Sequence, residues 1–162
     1  MNIYMTVPGI TGMATDINHK GQIPVQSYSF CKSRHVDMKV GHMSNREGGS
    51  QRFSYFELTK LVDKSSPQLY QLFANGKCLD KMIVQVCRTG AGAQVYHEFT
   101  LYNAMVASRE LANFADSTNT GLEYLSLAYT RLDEKFIPYD VTNQSIRTPL
   151  IVGFDLEKAQ AC

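Results

Sequence analysis

KMIVQVCRTGAGAQVYHEFTL, residues 81–101, decides the class of fold. Met82, Val84 and Val86 alternate with their neighbours, and Val95, Phe99 and Leu101 follow the same rhythm with Glu98 and Thr100 opposite. Successive side chains of a strand point to opposite faces, so a period of two reads as a pair of strands. Gly90 and Gly92 fall between them and make a hairpin turn. A phosphate cradle would need a helix N-terminus behind those glycines, and a strand follows instead.

The alternation continues outward in both directions. Residues 3–7 form a short first strand. Residues 22–30 form the second, with Ile23 and Val25 on one face and Tyr28 and Phe30 on the other; the change of face near Ser27 suits a bulge or a strand buried on both sides. Residues 53–62 alternate through Phe56, Leu58 and Val62. Leu125, Leu127 and Tyr129 continue the pattern, and Leu150, Val152, Phe154 and Leu156 close it. Residues 103–114 would tolerate a helix but read better as a continuing strand with a bend.

One helix is written plainly. Ser65 or Ser66 is placed to cap the first turn, and Pro67 suits the first helical position, where its missing N–H costs nothing. Leu69, Leu72 and Phe73 then share a stripe, and Asn75-Gly76 supplies a left-handed stop. The expected fold is mainly β: a small antiparallel β-barrel of two sheets with one α-helix packed at its side, in a single domain over residues 1–162.

Sixteen basic residues stand against 15 acidic ones, a formal net charge of +1. No positive field is available for a polyanion, so nucleic-acid binding is not expected. The start of the chain lacks a basic segment followed by an apolar core, so no signal peptide is expected. No apolar run approaches the ~18 residues of a membrane-spanning helix, so no membrane insertion is expected either. The reading is synthesis in the cytoplasm, with any export left to a dedicated machine.

Chemistry is sparse. Cys31, Cys78, Cys87 and Cys162 are scattered without metal-type spacing, as are His19, His35, His42 and His97. They read as reduced thiols and isolated imidazoles, with Cys162 the candidate for adventitious disulfide formation in oxidising buffer. Cys31 with His35 and Asp16 with His19 are near in sequence, but neither spacing guarantees contact. Asp133 and Glu134 are adjacent on a strand, so their carboxylates point apart. No catalytic residue, cofactor site or metal site is expected, and that absence favours a structural role.

Four blocks then resemble one family. Residues 8–30, PGITGMATDINHKGQIPVQSYSF, carry Gly12, Asp16, His19, Lys20 and Gly21 before Ser27-Tyr28-Ser29-Phe30. Lys60, Asp63, Ser65, Ser66, Pro67 and Leu69 fit a K-x-x-D-x-S-S-P-x-L entry into a helix. Glu123, Leu125, Ser126 and Leu127 fit an E-x-L-S-L segment, and Gly153-Phe154-Asp155-Leu156 a closing strand. Together they resemble the Hcp (haemolysin-coregulated protein) family of type VI secretion tube proteins, although this chain has no Trp where the family often places it.

The resemblance implies homohexameric rings stacked into a hollow tube. A contractile sheath would expel that tube with its spike, and effectors would be carried or stabilised in the lumen. It further implies that the polar loop at residues 41–50, through His42, Met43, Ser44, Asn45, Arg46 and Glu47, contacts the next ring. Two other readings are a stand-alone barrel binding a small ligand or protein, and a hydrolase. The ligand reading requires a stable monomer with an apolar cavity, and the hydrolase a convergent titratable cluster.

Overall fold

A computed structural model describes residues 1–36, 48–89, 93–113, 121–139 and 148–162. The elements are β1 (Asn2–Thr6), β2 (Ile23–Val25), β3 (Ser27–Ser29), β4 (Lys32–Val36), β5 (Gly48–Phe53), β6 (Phe56–Leu61), α1 (Ser66–Asn75), β7 (Leu79–Cys87), β8 (Val95–Ala112), β9 (Leu122–Ala128), β10 (Arg131–Phe136), β11 (Leu150–Asp155) and β12 (Gln160–Ala161). The pairings of the described strands are antiparallel: one sheet runs β12-β11-β10-β8-β7-β1-β2, with a second layer β3-β6-β9 that rejoins β8, and β4 and β5 form a separate two-stranded sheet.

Two devices fold this ladder into a barrel. The first is β8, 18 residues long, which pairs with β7 and β10 in its first half and with β9 in its second. Its bend falls at Asn103, held at φ 48, a left-handed conformation that Asn tolerates better than most side chains. The expected strand and bend are therefore present. The second device corrects the reading of residues 22–30 as one strand. The chain breaks at Gln26: β2 pairs with β1, while β3 pairs with β6 in the other layer. The Gln26 N–H already donates to Thr59 O at 2.8 Å, so the change of face marks a passage between sheets. Residues 53–62 also divide, because Phe53 ends β5 and Phe56 opens β6.

The core lies where the alternating faces meet. Met5, Ile23, Phe56, Leu58, Met82, Val84, Phe99, Leu101, Leu125 and Leu127 are buried there. Each such side chain contributes about 1.5–3 kcal/mol by leaving water. Tyr28 and Phe30 stack on Phe56, with ring centroids 5.7 and 5.1 Å away, and tilt against Phe99. Tyr28 and Phe30 thus supply aromatic bulk to the core without Trp.

Helix α1 drives Leu69 fully into the core, with Leu72 beside it, while Phe73 stays partly exposed. Gly76 ends it at φ 58, donating back to the last turn. The expected serine cap is replaced by something else. Ser65 makes no side-chain bond to the helix N–H groups, and both serine hydroxyls turn toward carboxylates.

Candidate functional site

The pairs that could suggest catalysis do not form a site. Cys31 and His35 are both exposed around β4, and the Cys31 backbone N–H donates to Ser54 Oγ at 2.8 Å. Asp16 and His19 meet only through a turn, His19 N–H to Asp16 O at 3.1 Å. The His19 ring is buried, stacked on Tyr4 at 4.4 Å, with Nδ1 2.8 Å from Gln22 Oε1 and Nε2 3.0 Å from Ala93 O. It pins the β1–β2 loop to the start of the β8 arm. Cys87 Sγ lies 3.3 Å from the same Nε2, but burial, aided by Asp16, pushes its thiol up to about 11. A thiol held protonated at neutral pH is a poor nucleophile.

Asp133 and Glu134 diverge, as adjacent strand residues should. Asp133 takes the Arg131 guanidinium, whereas Glu134 takes Lys32 at 3.0 Å and His97 at 2.9 Å. Burial would raise the Glu134 carboxyl, but the Lys32 and His97 bonds outweigh it and hold it below the usual range. Among the described residues, no three of His, Cys, Asp and Glu stand close enough to hold a metal ion. No helix of the described residues is long and apolar enough to cross a membrane.

What the strand reading missed is a buried ionic cluster beneath α1. Lys60 and Glu123 are fully buried on facing positions of β6 and β9, 2.9 Å apart. Lys60 Nζ also donates to Asp63 Oδ1 at 2.9 Å and Leu61 O at 2.8 Å, and Arg109 and Ser66 both donate to Glu123. Burial alone would raise Glu123, but hydrogen bonds from Ser66, Lys60 and Arg109 hold its carboxyl below the ordinary value. The cluster ties the helix entry to β6, β9 and the second half of β8. Two sequence signals pointed to it: Lys60 in phase with Phe56 and Leu58 and Glu123 in phase with Leu125 and Leu127, and the family-like blocks that hold Lys60, Asp63, Ser65, Ser66 and Glu123.

The candidate loop residues, His42, Met43, Ser44, Asn45, Arg46 and Glu47, lie outside the described residues, as do Gly90 and Gly92 of the expected hairpin. The described surface offers other candidates. The apolar face expected to bury the end of the chain is only half covered: Phe154 stacks on Phe53 at 4.9 Å, but Leu150 and Val152 are each 67% exposed. Ile151 on the opposite face is 61% exposed, and Phe136, opposite Leu150, is 44% exposed. The strand β12 pairs only near Phe154 and Asp155, so residues 150–152 form an open edge among the described residues. At the other end of the same sheet, beside β2, the loop carries Ile17, 94% exposed, and Met13. Two unlike apolar patches thus mark the two ends of one sheet.

The outer face of the second layer is different. Ser29, Glu57, Ser126 and Ser108 form one cross-strand row, and Ser27, Thr59, Tyr124 and Glu110 the next. It is flat, hydroxyl-rich and shallow, with a depression of about 260 Å³.

The model of the family described as type VI secretion system effector, Hcp, matches residues 4–136. No curated protein matches the chain. A solved type six secretion system protein superposes with a TM-score of 0.91 at 18% identity, covering 99% of both chains. Hcp1 from Salmonella typhimurium gives 0.77 at 20% identity, over 99% of this chain and 98% of that one. The secreted protein Hcp3 from Pseudomonas aeruginosa gives 0.60 at 19% identity, over 95% and 97%. At such identities the structures speak for the fold.

Proposed function

The chain belongs to the Hcp family of type VI secretion system proteins, and from that premise we propose that it is the tube subunit, assembling into hexameric rings. The rings stack into a hollow tube that the contractile sheath expels together with its spike. The observation that carries this reading is the pair of apolar patches at the two ends of one sheet, Phe136 with Leu150, Ile151 and Val152 at one end and Met13 with Ile17 at the other. A ring closes by heterologous contact, in which one patch of each subunit meets a different patch of its neighbour. An isolated subunit would leave an open, apolar strand edge in water, which is a liability that assembly removes.

The hydroxyl-rich face of β3, β6, β9 and β8 then suits the wall of a water-filled lumen, where effectors are carried. The loop at His42–Glu47 contacts the next ring. The subunit is made in the bacterial cytoplasm and leaves through the secretion machine. It works by assembly, without a catalytic step.

Light scattering behind a sizing column, with reductant present, tests the ring. The expected mass is that of six subunits, and Ile17→Asp or Ile151→Asp lowers it to one. A clean monomer at high concentration, or intact rings in both variants, overturns the assignment of the patches. Deleting residues 44–49 is expected to abolish ring stacking while leaving single rings intact.

A further inference from the structure

A second kind of site lies at the end of the barrel where β7 stops, β8 starts and β10 runs out. A cleft of about 490 Å³ opens there between Arg88, Thr89, Tyr96, Phe136, Ile137 and Tyr139. Met1 closes one side: its sulfur accepts from the Tyr96 hydroxyl at 3.3 Å, and its amino group meets Thr89 Oγ1. The volume lies in the range of small-molecule sites, roughly 300–1,000 Å³.

The walls are apolar and held in place. Tyr96 packs edge-on against Phe136 with centroids 6.4 Å apart, and Tyr139 is fixed by its hydroxyl donating to Val95 O at 3.0 Å. The backbone lining is already satisfied, since Tyr96 O takes the Ile137 N–H at 2.8 Å and Gln94 O takes the Arg88 N–H at 3.0 Å. What remains unsatisfied is charge. Arg88 lies over the Tyr139 ring at 5.8 Å and forms no ion pair with a described residue. The carboxylates of the flanking strands are committed elsewhere, Glu134 to Lys32 and His97, and Glu98 to Gln85 and Lys135. An aromatic cleft with a guanidinium at its rim that has no ion-pair partner among the described residues is complementary to a body that is apolar at one end and anionic at the other.

We infer that this cleft is a binding site for a small amphiphilic anion, an aromatic or aliphatic body carrying a single carboxylate. The guanidinium takes the carboxylate in a forked pair of hydrogen bonds, and the apolar part lies against Tyr96, Phe136 and Tyr139. All the lining residues belong to one subunit, and one of them, Phe136, is shared with the patch proposed above for the ring contact.

The test is isothermal titration calorimetry on the full chain with 4-phenylbutyrate and its uncharged counterpart 4-phenylbutanol. The carboxylate is expected to bind at least about tenfold more tightly, the worth of one charge-assisted contact. Arg88→Gln, a change at an exposed position, erases that preference, while Phe136→Ala weakens both probes alike. Lys158→Gln, a distant surface charge, leaves the preference intact. Absence of saturable binding by 4-phenylbutyrate, equal affinity for the two probes, or a preference that survives Arg88→Gln overturns the inference.

Discussion

Replacing Lys60 with Met tests the ionic cluster beneath the helix. The Lys60 side chain is fully buried, and its ammonium meets four acceptors within 3.1 Å: Leu61 O, Asp63 Oδ1, Ser66 Oγ and Glu123 Oε2. Methionine keeps the length and removes the charge, leaving Glu123 buried with only Arg109 and Ser66. Breaking a buried pair by deleting one partner costs about 3–5 kcal/mol, because the orphaned charge stays desolvated. At roughly 2–4 °C per kcal/mol for a domain of this size, the melting temperature should fall by on the order of 6–20 °C.

The pH dependence supplies a second readout. Burial opposes ionisation of Asp63 and Glu123, yet the bonds from Ser65, Ser66, Lys60 and Arg109 lower both carboxyls below their unfolded values. Lowered carboxyls stabilise the fold above the ordinary carboxylate range, about pH 4, and that stabilisation is lost as pH falls through their folded-state values. Lys60→Met has already forfeited part of it, so the gap to the wild type should narrow on acidification. Urea unfolding followed by circular dichroism, at fixed protein concentration and at pH 7 and pH 3.5, measures both. A loss below about 1 kcal/mol at pH 7, or a gap that widens in acid, would refute the reasoning.

Three further outcomes are expected. Leu69→Ala empties the position that anchors α1 in the core and should cost about 2–5 kcal/mol in urea unfolding, with the barrel strands retained by circular dichroism. Gly12→Ala should lower the melting temperature, because a Cβ there runs into the Gln22 carbonyl and the β2 backbone, an overpacking cost of about 1–3 kcal/mol. Brief iodoacetamide treatment of the native protein near pH 8 should label the exposed Cys31, Cys78 and Cys162, while Cys87, buried and pushed up to about 11, reacts only after unfolding; peptide mass spectrometry reads the difference.

Much of the barrel was legible because a half-buried strand must alternate. Met82, Val84 and Val86 face inward as their spacing demands, and Pro67 and Gly76 bracket the helix for stereochemical reasons that need no tertiary knowledge. Three features escaped the same logic. Period two shows which side of residues 22–30 is apolar, but not that the chain changes sheets at Gln26. Polarity suggests that Lys60 and Glu123 belong in water, and only the facing register of β6 and β9 reveals that each buries the other. The closing face of Leu150 and Val152 is apolar as read, yet the described residues leave it uncovered. A hydrophobic pattern records that a face must be hidden, not which molecule hides it. The cleft at Arg88 was invisible for a related reason, since its walls come from segments some fifty residues apart.

The sharing of β8 between both layers has a consequence for biogenesis. Strand β1 has no long partner until β7 is made, and β6 waits for β9, on the far side of β8. On a ribosome adding 5–20 residues per second, the roughly sixty residues between β6 and β9 take on the order of 3–12 seconds. Through that interval Phe56 and Leu58 have no β9 to cover them, and the first half of β8 cannot fix the direction of the second until Asn103 has turned. The nascent chain therefore spends seconds as an incomplete barrel with open edges, and a chaperone that shields β6 at that stage should raise the yield of assembled protein more than one acting after release.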